Sequence, residues 1–307
     1  NAVFCFRDIS KLSDSEIVTL ARSDYLDIAI DLNGYTKFNR CSIFLKRVAP
    51  IQINYLGYPG SLGSKSFDYI IADKIVIPVE SESNFTEKVL YMPNCFIPHD
   101  DTKKISIRTF SREELGLPST GFVFTCFNSI QKITRKEFKI WINLLKRIEG
   151  SVLWIMKPNA IAINNIHMEL IRNKLAIEKV IFAEKMNLSN HLSRHSCGDL
   201  FLDTFNFNAG TTATDSLWSG LPLITLKGKS FSARMASSIL NSCGLKELIT
   251  SNEIEYESLA YELANEPNKL LSIRKKLIKS RNCKLFDSLH YTQNLERKFE
   301  RVIEINN

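Results

Sequence analysis

The sequence predicts an α/β protein with parallel sheets arranged in two domains, and three observations carry that expectation. From Phe122 onward, short apolar runs alternate with segments of helical period across short connections, the pattern of parallel strands joined by crossover helices. A length of 307 residues sets a prior of two domains. Residues 99–118, HDDTKKISIRTFSREELGLP, are polar and aperiodic, which places the domain boundary there.

In the first half, residues 26–32 (LDIAIDL) form a strand-like run, and NGYT at 33–36 is turn chemistry. A short helix starting at Asn39 or Ser42 carries Ile43, Phe44 and Leu45. Ala49-Pro50 ends it, because the residue before a proline leaves the helical region. Residues 51–56 make a second strand, and GYPGSLG at 57–63 is a loop rich enough in glycine to approach a ligand, or simply to turn tightly. Further strands are expected at 67–72 and 88–92.

In the second half, a strand at 122–127 precedes a helix whose start is marked by the capping box Thr134…Glu137. Phe138, Trp141, Ile142, Leu145 and Ile148 fall on one face of it, and Gly150 closes it. Then come a strand at 152–156, a helix at 163–175, a strand at 180–182 and a short helix at 188–196. A helix at 231–240 and a helical region from Glu253, broken near Pro267 and Asn282, complete the pattern. Ligands of such sheets bind at the carboxyl ends of the strands, so 128–132, 183–188 and 205–212 should converge.

The most informative stretch is 199–225, DLFLDTFNFNAGTTATDSLWSGLPLIT, which reads as strand, loop, helix and strand. The corner Gly210-Thr211-Thr212 would aim unpaired N–H groups and two hydroxyls at one point, as a helix N-terminus does for a phosphate. Alternatively, Thr211 or Thr212 merely caps a structural helix.

Composition is that of a soluble globular protein, with 44% hydrophobic and 24% charged residues. No apolar run reaches the ~20 residues of a membrane span. The opening NAVFCFRDIS is not a signal peptide; it lacks an initiator Met, and we expect an upstream part to be missing. The net charge of +7 is dispersed except for Arg274, Lys275, Lys276, Lys279 and Arg281, a run expected to be a solvated helix face rather than a polyanion-binding patch, and no nucleic-acid partner is expected. Seven scattered cysteines without CxxC read as reduced thiols of a cytoplasmic protein. His191 and His195, at i and i+4, could face one metal, but no further ligand stands at the required spacing and no metal is expected. The dinucleotide fingerprint, phosphate loop, zinc-protease and nucleophile-elbow motifs are absent.

NGYT (33–36), APIQINYLGYPGSLG (49–63), FDYIIADK (67–74), EKVLYMP (87–93), CFNSIQKI (126–133), SVLW (151–154) and DTFNFNAGTTATDSLWSGLPLIT (203–225) together resemble the catalytic region of the O-linked N-acetylglucosamine transferase family, including its bacterial and SPINDLY-like members. The motifs keep the family's order over nearly the whole chain. The resemblance implies two Rossmann-like lobes of the glycosyltransferase B (GT-B) arrangement with the N-terminal lobe incomplete. Residues 1–105 would be the end of that lobe, 106–286 the nucleotide-sugar lobe, and 287–307 a closing helix using Leu295, Phe299, Val302 and Ile303. It also implies metal-independent, inverting transfer of a sugar to protein Ser or Thr. The favoured donor is UDP-GlcNAc, with GDP-fucose as the alternative, and a tetratricopeptide region is expected upstream.

Carried over by position, Lys132 matches the lysine on the donor diphosphate, and Thr211 and Thr212 the hydroxyl pair on the β-phosphate. Asp215 matches the ribose carboxylate, Arg194 an arginine near the base, His191 a histidine of the same pocket, and Gly57 the glycine lining the sugar site. Ser129, Gly210 and Leu188 stand where the animal pattern has glutamine, histidine and lysine, so Ser129 and Gly210 are kept as phosphate-side positions. The segment that brings an acid and a histidine to the family's reaction centre is not in this sequence. A non-catalytic nucleotide-binding module and a nucleotide-sugar epimerase are the competing readings.

Overall fold

A computed structural model describes residues 3–279 and 283–306. The chain divides into two compact units, Asn1–Phe96 with Leu289–Asn307, and Ile97–Ser288. Arg281 and Asn282, which figure in the expectations above, lie outside the described residues.

The first unit is built on a parallel sheet of β1 (Ile28–Asp31), β2 (Ile51–Asn54), β3 (Tyr69–Ala72) and β4 (Lys88–Tyr91), in that order. Alternate residues face opposite sides. Ile51, Ile53, Tyr55, Tyr69, Ile71 and Met92 form one apolar face, covered by Val302, Leu295, Phe299 and Ile303 of helix α9 (Ser288–Asn306). Those are the residues expected of the closing helix. On the other face, Ala29, Phe44, Val48, Ala49, Leu62 and Phe67 pack with Val18 of helix α1 (Asp14–Ser23).

The sequence reading missed α1, although its capping box is plain: Ser13 Oγ accepts from Glu16 N and the Glu16 carboxylate accepts from Ser13 N at 2.7 Å. The connections between strands here are short 3₁₀ turns and loops, not α-helices, so their backbone groups need partners. Buried Gln52 supplies them, accepting from Val48 N at 2.8 Å and donating to Phe44 O at 2.9 Å. Buried Glu87 does the same for the 57–63 loop, accepting from Leu62 N at 2.7 Å and Ser61 Oγ at 2.6 Å.

The second unit alternates strand and helix: β5 (Val123–Cys126), α2 (Arg135–Arg147), β6 (Val152–Met156), α3 (Ala160–Arg172), β7 (Val180–Ala183), α4 (Leu188–Arg194), β8 (Leu200–Leu202), α5 (Thr211–Trp218), β9 (Leu223–Leu226), α6 (Met235–Ser242) and β10 (Ile249–Thr250), followed by α7 (Glu253–Asn265) and α8 (Pro267–Lys279). Its six parallel strands run in the order β10-β9-β8-β5-β6-β7. The chain winds outward from β5 in one direction and then restarts at β8 on the other side, so the switch point lies between these two strands. Trp141, Trp154, Phe124, Phe201 and Tyr256 fill the core. Pro267, expected as a break, instead starts α8, where its missing N–H costs nothing.

Two differences from expectation have physical causes. The second unit starts at Ile97, not at 106, because the strap after it packs on α5. His99 lies 5.1 Å from the Trp218 ring and 4.7 Å from Phe286, and Trp218 Nε1 donates to Lys103 O at 3.2 Å. The basic run on α8 is not wholly solvated, since Arg274 Nη2 donates to Gly198 O at 2.7 Å and pairs with Asp199. Cys243 and Cys283, far apart in sequence, bring their thiols to 3.2 Å. Among the described residues no helix is long and apolar enough to cross a membrane.

Candidate functional site

Strand β8 lies against β5, with Phe124 opposite Leu200 and Thr125 opposite Phe201, so the loops that leave their carboxyl ends are neighbours. Asp203, the first residue after β8, is fully buried and organises both. Its Oδ1 accepts from Thr204 N at 2.8 Å, Ala209 N at 2.7 Å and Asn128 Nδ2 at 3.1 Å, and its Oδ2 accepts from Thr225 Oγ1 at 2.7 Å. Burial outweighs these bonds and pushes its pKa up to about 6. The carboxylate thus folds 204–209 into a tight loop leading to α5.

Gly210 is the N-cap of α5 and has no side chain to cap it, so neither Thr211 nor Thr212 is the capping residue that the plainer reading supposed. The N–H groups of Ala213 and Thr214 both turn back to Gly210 O, at 3.0 and 3.1 Å. Those of Thr211 and Thr212 precede them in the first helical turn, where an α-helix offers no internal acceptor. Thr211 is exposed, while Thr212 Oγ1 donates to Asn128 Oδ1 at 2.5 Å. A side chain at Gly210 would meet Met235 Cε at 2.7 Å, so the cap is closely packed from behind.

Lys132 arrives from the β5 loop. Its Nζ donates to Asn208 O at 3.0 Å and sits 3.9 Å from the centre of the Phe207 ring. Two of its three donors remain for a ligand. Burial pulls its pKa below the ordinary lysine value, and the charge of Asp203 pulls it back up. Ser129, two residues after Phe127, is exposed and its hydroxyl turns to Gln131. Asp215, one turn into α5, accepts from Lys103 Nζ at 2.8 Å.

His191 and Arg194 lie on α4 and act together. Arg194 is fully buried, with Nε on His191 Nδ1 at 2.9 Å, Nη1 on Glu184 O at 2.6 Å and its guanidinium near Phe127 and Trp154. Burial lowers its pKa to about 10. Within the protein it holds His191. Because an arginine nitrogen only donates, His191 Nδ1 must accept, which leaves the proton on Nε2. Burial, then the neighbouring His195 and Arg194, push the His191 pKa down to about 3. The imidazole in this arrangement is a neutral donor and not a base. Leu188, at the start of α4, is half exposed. His195 Nδ1 lies 2.7 Å from His191 O, and among the described residues no three His, Cys, Asp or Glu side chains are grouped to hold a metal ion.

Gly57 belongs to the first unit. A Cβ there would come within 2.1 Å of Leu32 O and 2.9 Å of Asn33 Cα, so close backbone packing alone demands glycine.

The profile of the family described as Glycosyl transferase family 41 matches residues 3–108 and 100–295, nearly the whole chain. The chain belongs to this family. It is 34% identical over 304 residues to an Arabidopsis thaliana relative named a probable UDP-N-acetylglucosamine–peptide N-acetylglucosaminyltransferase SEC, covering 97% of this chain and 31% of the relative. A Petunia hybrida relative, named a probable transferase of the same kind, SPINDLY, is 30% identical, with 97% of this chain and 32% of the relative covered. The chain thus spans about a third of the length of these relatives. Among solved structures, a mutant Thermobaculum terrenum O-GlcNAc transferase has a TM-score of 0.87 at 25% identity, covering 98% of this chain and 58% of that one. Anabaena HepE, solved with UDP and glucose, has a TM-score of 0.66 at 15% identity over 97% of this chain and 84% of its own, a likeness of fold. As expected from the sequence, the fold class of this family 41 chain is that of the GT-B glycosyltransferases.

Asp203 and Lys103 went unremarked as site residues in the sequence, and Asn128 and Asn208 were placed only as members of the converging segments 128–132 and 205–212. For Asn128 and Asp203 a signal exists, since each ends an apolar run at the carboxyl end of its strand, where a polar residue meets the ligand-facing edge. Asn208 acts through its backbone carbonyl, and Lys103 lies in an aperiodic strap, so neither carries one.

Proposed function

We propose that this chain is the donor-binding part of a glycosyltransferase that moves N-acetylglucosamine from UDP-GlcNAc to protein Ser or Thr hydroxyls. The observation that carries this reading is the start of α5: a glycine-capped helix N-terminus at the β5/β8 switch point, with the Lys132 ammonium bound two residues before the cap. There the Thr211 hydroxyl and the first-turn N–H groups, that of Thr212 among them, hold the diphosphate, Lys132 neutralises charge growing on it as the anomeric bond breaks, and His191 offers Nε2–H. Asp215 takes ribose hydroxyls. The acceptor hydroxyl attacks the anomeric carbon opposite the leaving UDP, so configuration inverts. Lys132 does the electrostatic work that a divalent ion does in other glycosyl transfers, and the enzyme works without metal. The names of the relatives favour UDP-GlcNAc over GDP-fucose.

The test is transfer of radiolabel from UDP-GlcNAc and from GDP-fucose to a Ser/Thr protein, together with calorimetric titration of UDP and GDP. In a protein that also carries the family's acid-and-histidine segment, Lys132→Ala should abolish transfer with the thermal midpoint little changed, and undiminished turnover would sink the reading. Binding of UDP without transfer by the unsubstituted form of that same protein would point to a nucleotide-binding module.

A further inference from the structure

We infer that Lys103 is a positioning residue for the nucleoside sugar: its ammonium fixes one oxygen of Asp215 so that the other meets the ribose diol. The inference rests on the assignment of Asp215 to ribose made above. Lys103 lies on the strap between Ile97 and Arg112, outside any helix or strand, yet both its ends are held on α5. Its Nζ donates to Asp215 Oδ1 at 2.8 Å, and its carbonyl accepts from Trp218 Nε1 at 3.2 Å. The pair is well shielded, with the side chains only 17% and 12% exposed.

Thr211, Asp215 and Trp218 stand at i, i+4 and i+7, so they share one face of α5. Along that face the phosphate end at Thr211 and the carboxylate are one turn apart, about 5–6 Å. That is the separation across which a nucleotide spans from phosphate to sugar hydroxyls. The strap closes the far end of the face, where His99 packs on Trp218 and Phe286. Asp215 Oδ2 has no protein hydrogen bond among the described residues, and an ionised carboxylate only accepts. Its complement is a donor pair such as a vicinal diol.

Without the ammonium, a carboxylate this enclosed does not stay in place. It turns toward water, and a buried charge stripped of its partner is strongly disfavoured. The same substitution leaves the diphosphate contacts at Thr211 and Lys132 intact. Loss of Lys103 should therefore cost the ligand its diol contact and little else.

The experiment titrates the full 307-residue chain with UDP and with 2′,3′-dideoxyuridine diphosphate by calorimetry. The wild type should prefer UDP by about tenfold, as for a hydrogen bond to a charged group. Lys103→Met should bind the dideoxy ligand within about twofold of wild type and lose the preference, as should Asp215→Asn; Lys103→Arg should keep much of it. A purely structural role would weaken both ligands alike. If Lys103→Met keeps the full preference, or binds UDP more tightly, the positioning role is overturned while the ribose assignment stands. If the wild type itself does not discriminate, the ribose assignment fails and the inference with it. Should the Met variant not fold, Lys103→Gln, which keeps the stem and an N–H, is read the same way against Lys103→Arg, an unchanged preference in Gln overturning the role of the charge.

Discussion

Replacing Asp203 by Asn and by Ala separates the work its carboxyl oxygens do from the cost of its charge. Burial lifts the pKa from 3.8 to about 6, so at pH 8 keeping it ionised costs roughly 3 kcal/mol relative to the unfolded chain. Both substitutions remove that cost, so it cancels in the comparison between them. What differs is the acceptor. Asn keeps an oxygen for Thr204 N, Ala209 N and Asn128 Nδ2, and its amide can donate to Thr225 Oγ1. Ala leaves four donors without their acceptor in a site closed to water, at about 1–3 kcal/mol each. The Asn variant should therefore exceed the Ala variant in stability by at least about 4 kcal/mol, four times the lower bound. Urea unfolding at pH 8, followed by circular dichroism and compared at equal slope, measures the gap. A gap below about 1 kcal/mol would show that the loop before α5 does not depend on this carboxylate.

Two further outcomes follow from the same physics. Gly57→Ala should destabilise the first unit, seen as faster proteolysis of the 57–63 loop, because the new Cβ meets the Leu32 carbonyl at 2.1 Å; wild-type resistance would contradict the packing. Burial holds His99, His191 and His195 neutral with pKa values of about 4, 3 and 4, below the ordinary 6.5. The unfolded chain takes up protons below pH 6.5 that the folded chain refuses, so stability should fall from pH 6.5 toward 4, by a few kcal/mol on this order-of-magnitude reckoning. Asp203 acts in the opposite sense between pH 6 and 3.8, since its folded pKa is raised, but one carboxyl offsets only part of three histidines. A stability that is flat or rising from pH 6.5 to 5 would refute the assignment of neutral, buried rings.

The second unit was legible because its signals are local. The Thr134…Glu137 capping box, the apolar face of α2 and the Gly-Thr-Thr corner all fall within a few residues of the structure they specify. The first unit was less so. Its crossovers are loops tied down by Gln52 and Glu87, polar residues whose burial no period announces, and its sheet is covered by α9, more than 200 residues from β2. α1 was overlooked despite a complete capping box at Ser13 and Glu16. At the site, the chemistry of single residues was readable but their partners were not. The position of Arg194 was readable, but its role as a buried brace for His191 was not. Lys103 meets Asp215 across 112 residues, and Asn128 meets Thr212 across 84, and neither pairing has a sequence pattern.

The central claim is that the start of α5 holds a diphosphate. Calorimetric titration of UDP into the wild-type chain and into Thr211→Ala/Thr212→Val tests it most directly, with the thermal midpoint of each as a check on folding. The account expects the wild type to bind and the double variant to lose at least about tenfold in affinity, the equivalent of one hydrogen bond to a charged group. Equal affinity in two equally folded proteins would contradict it.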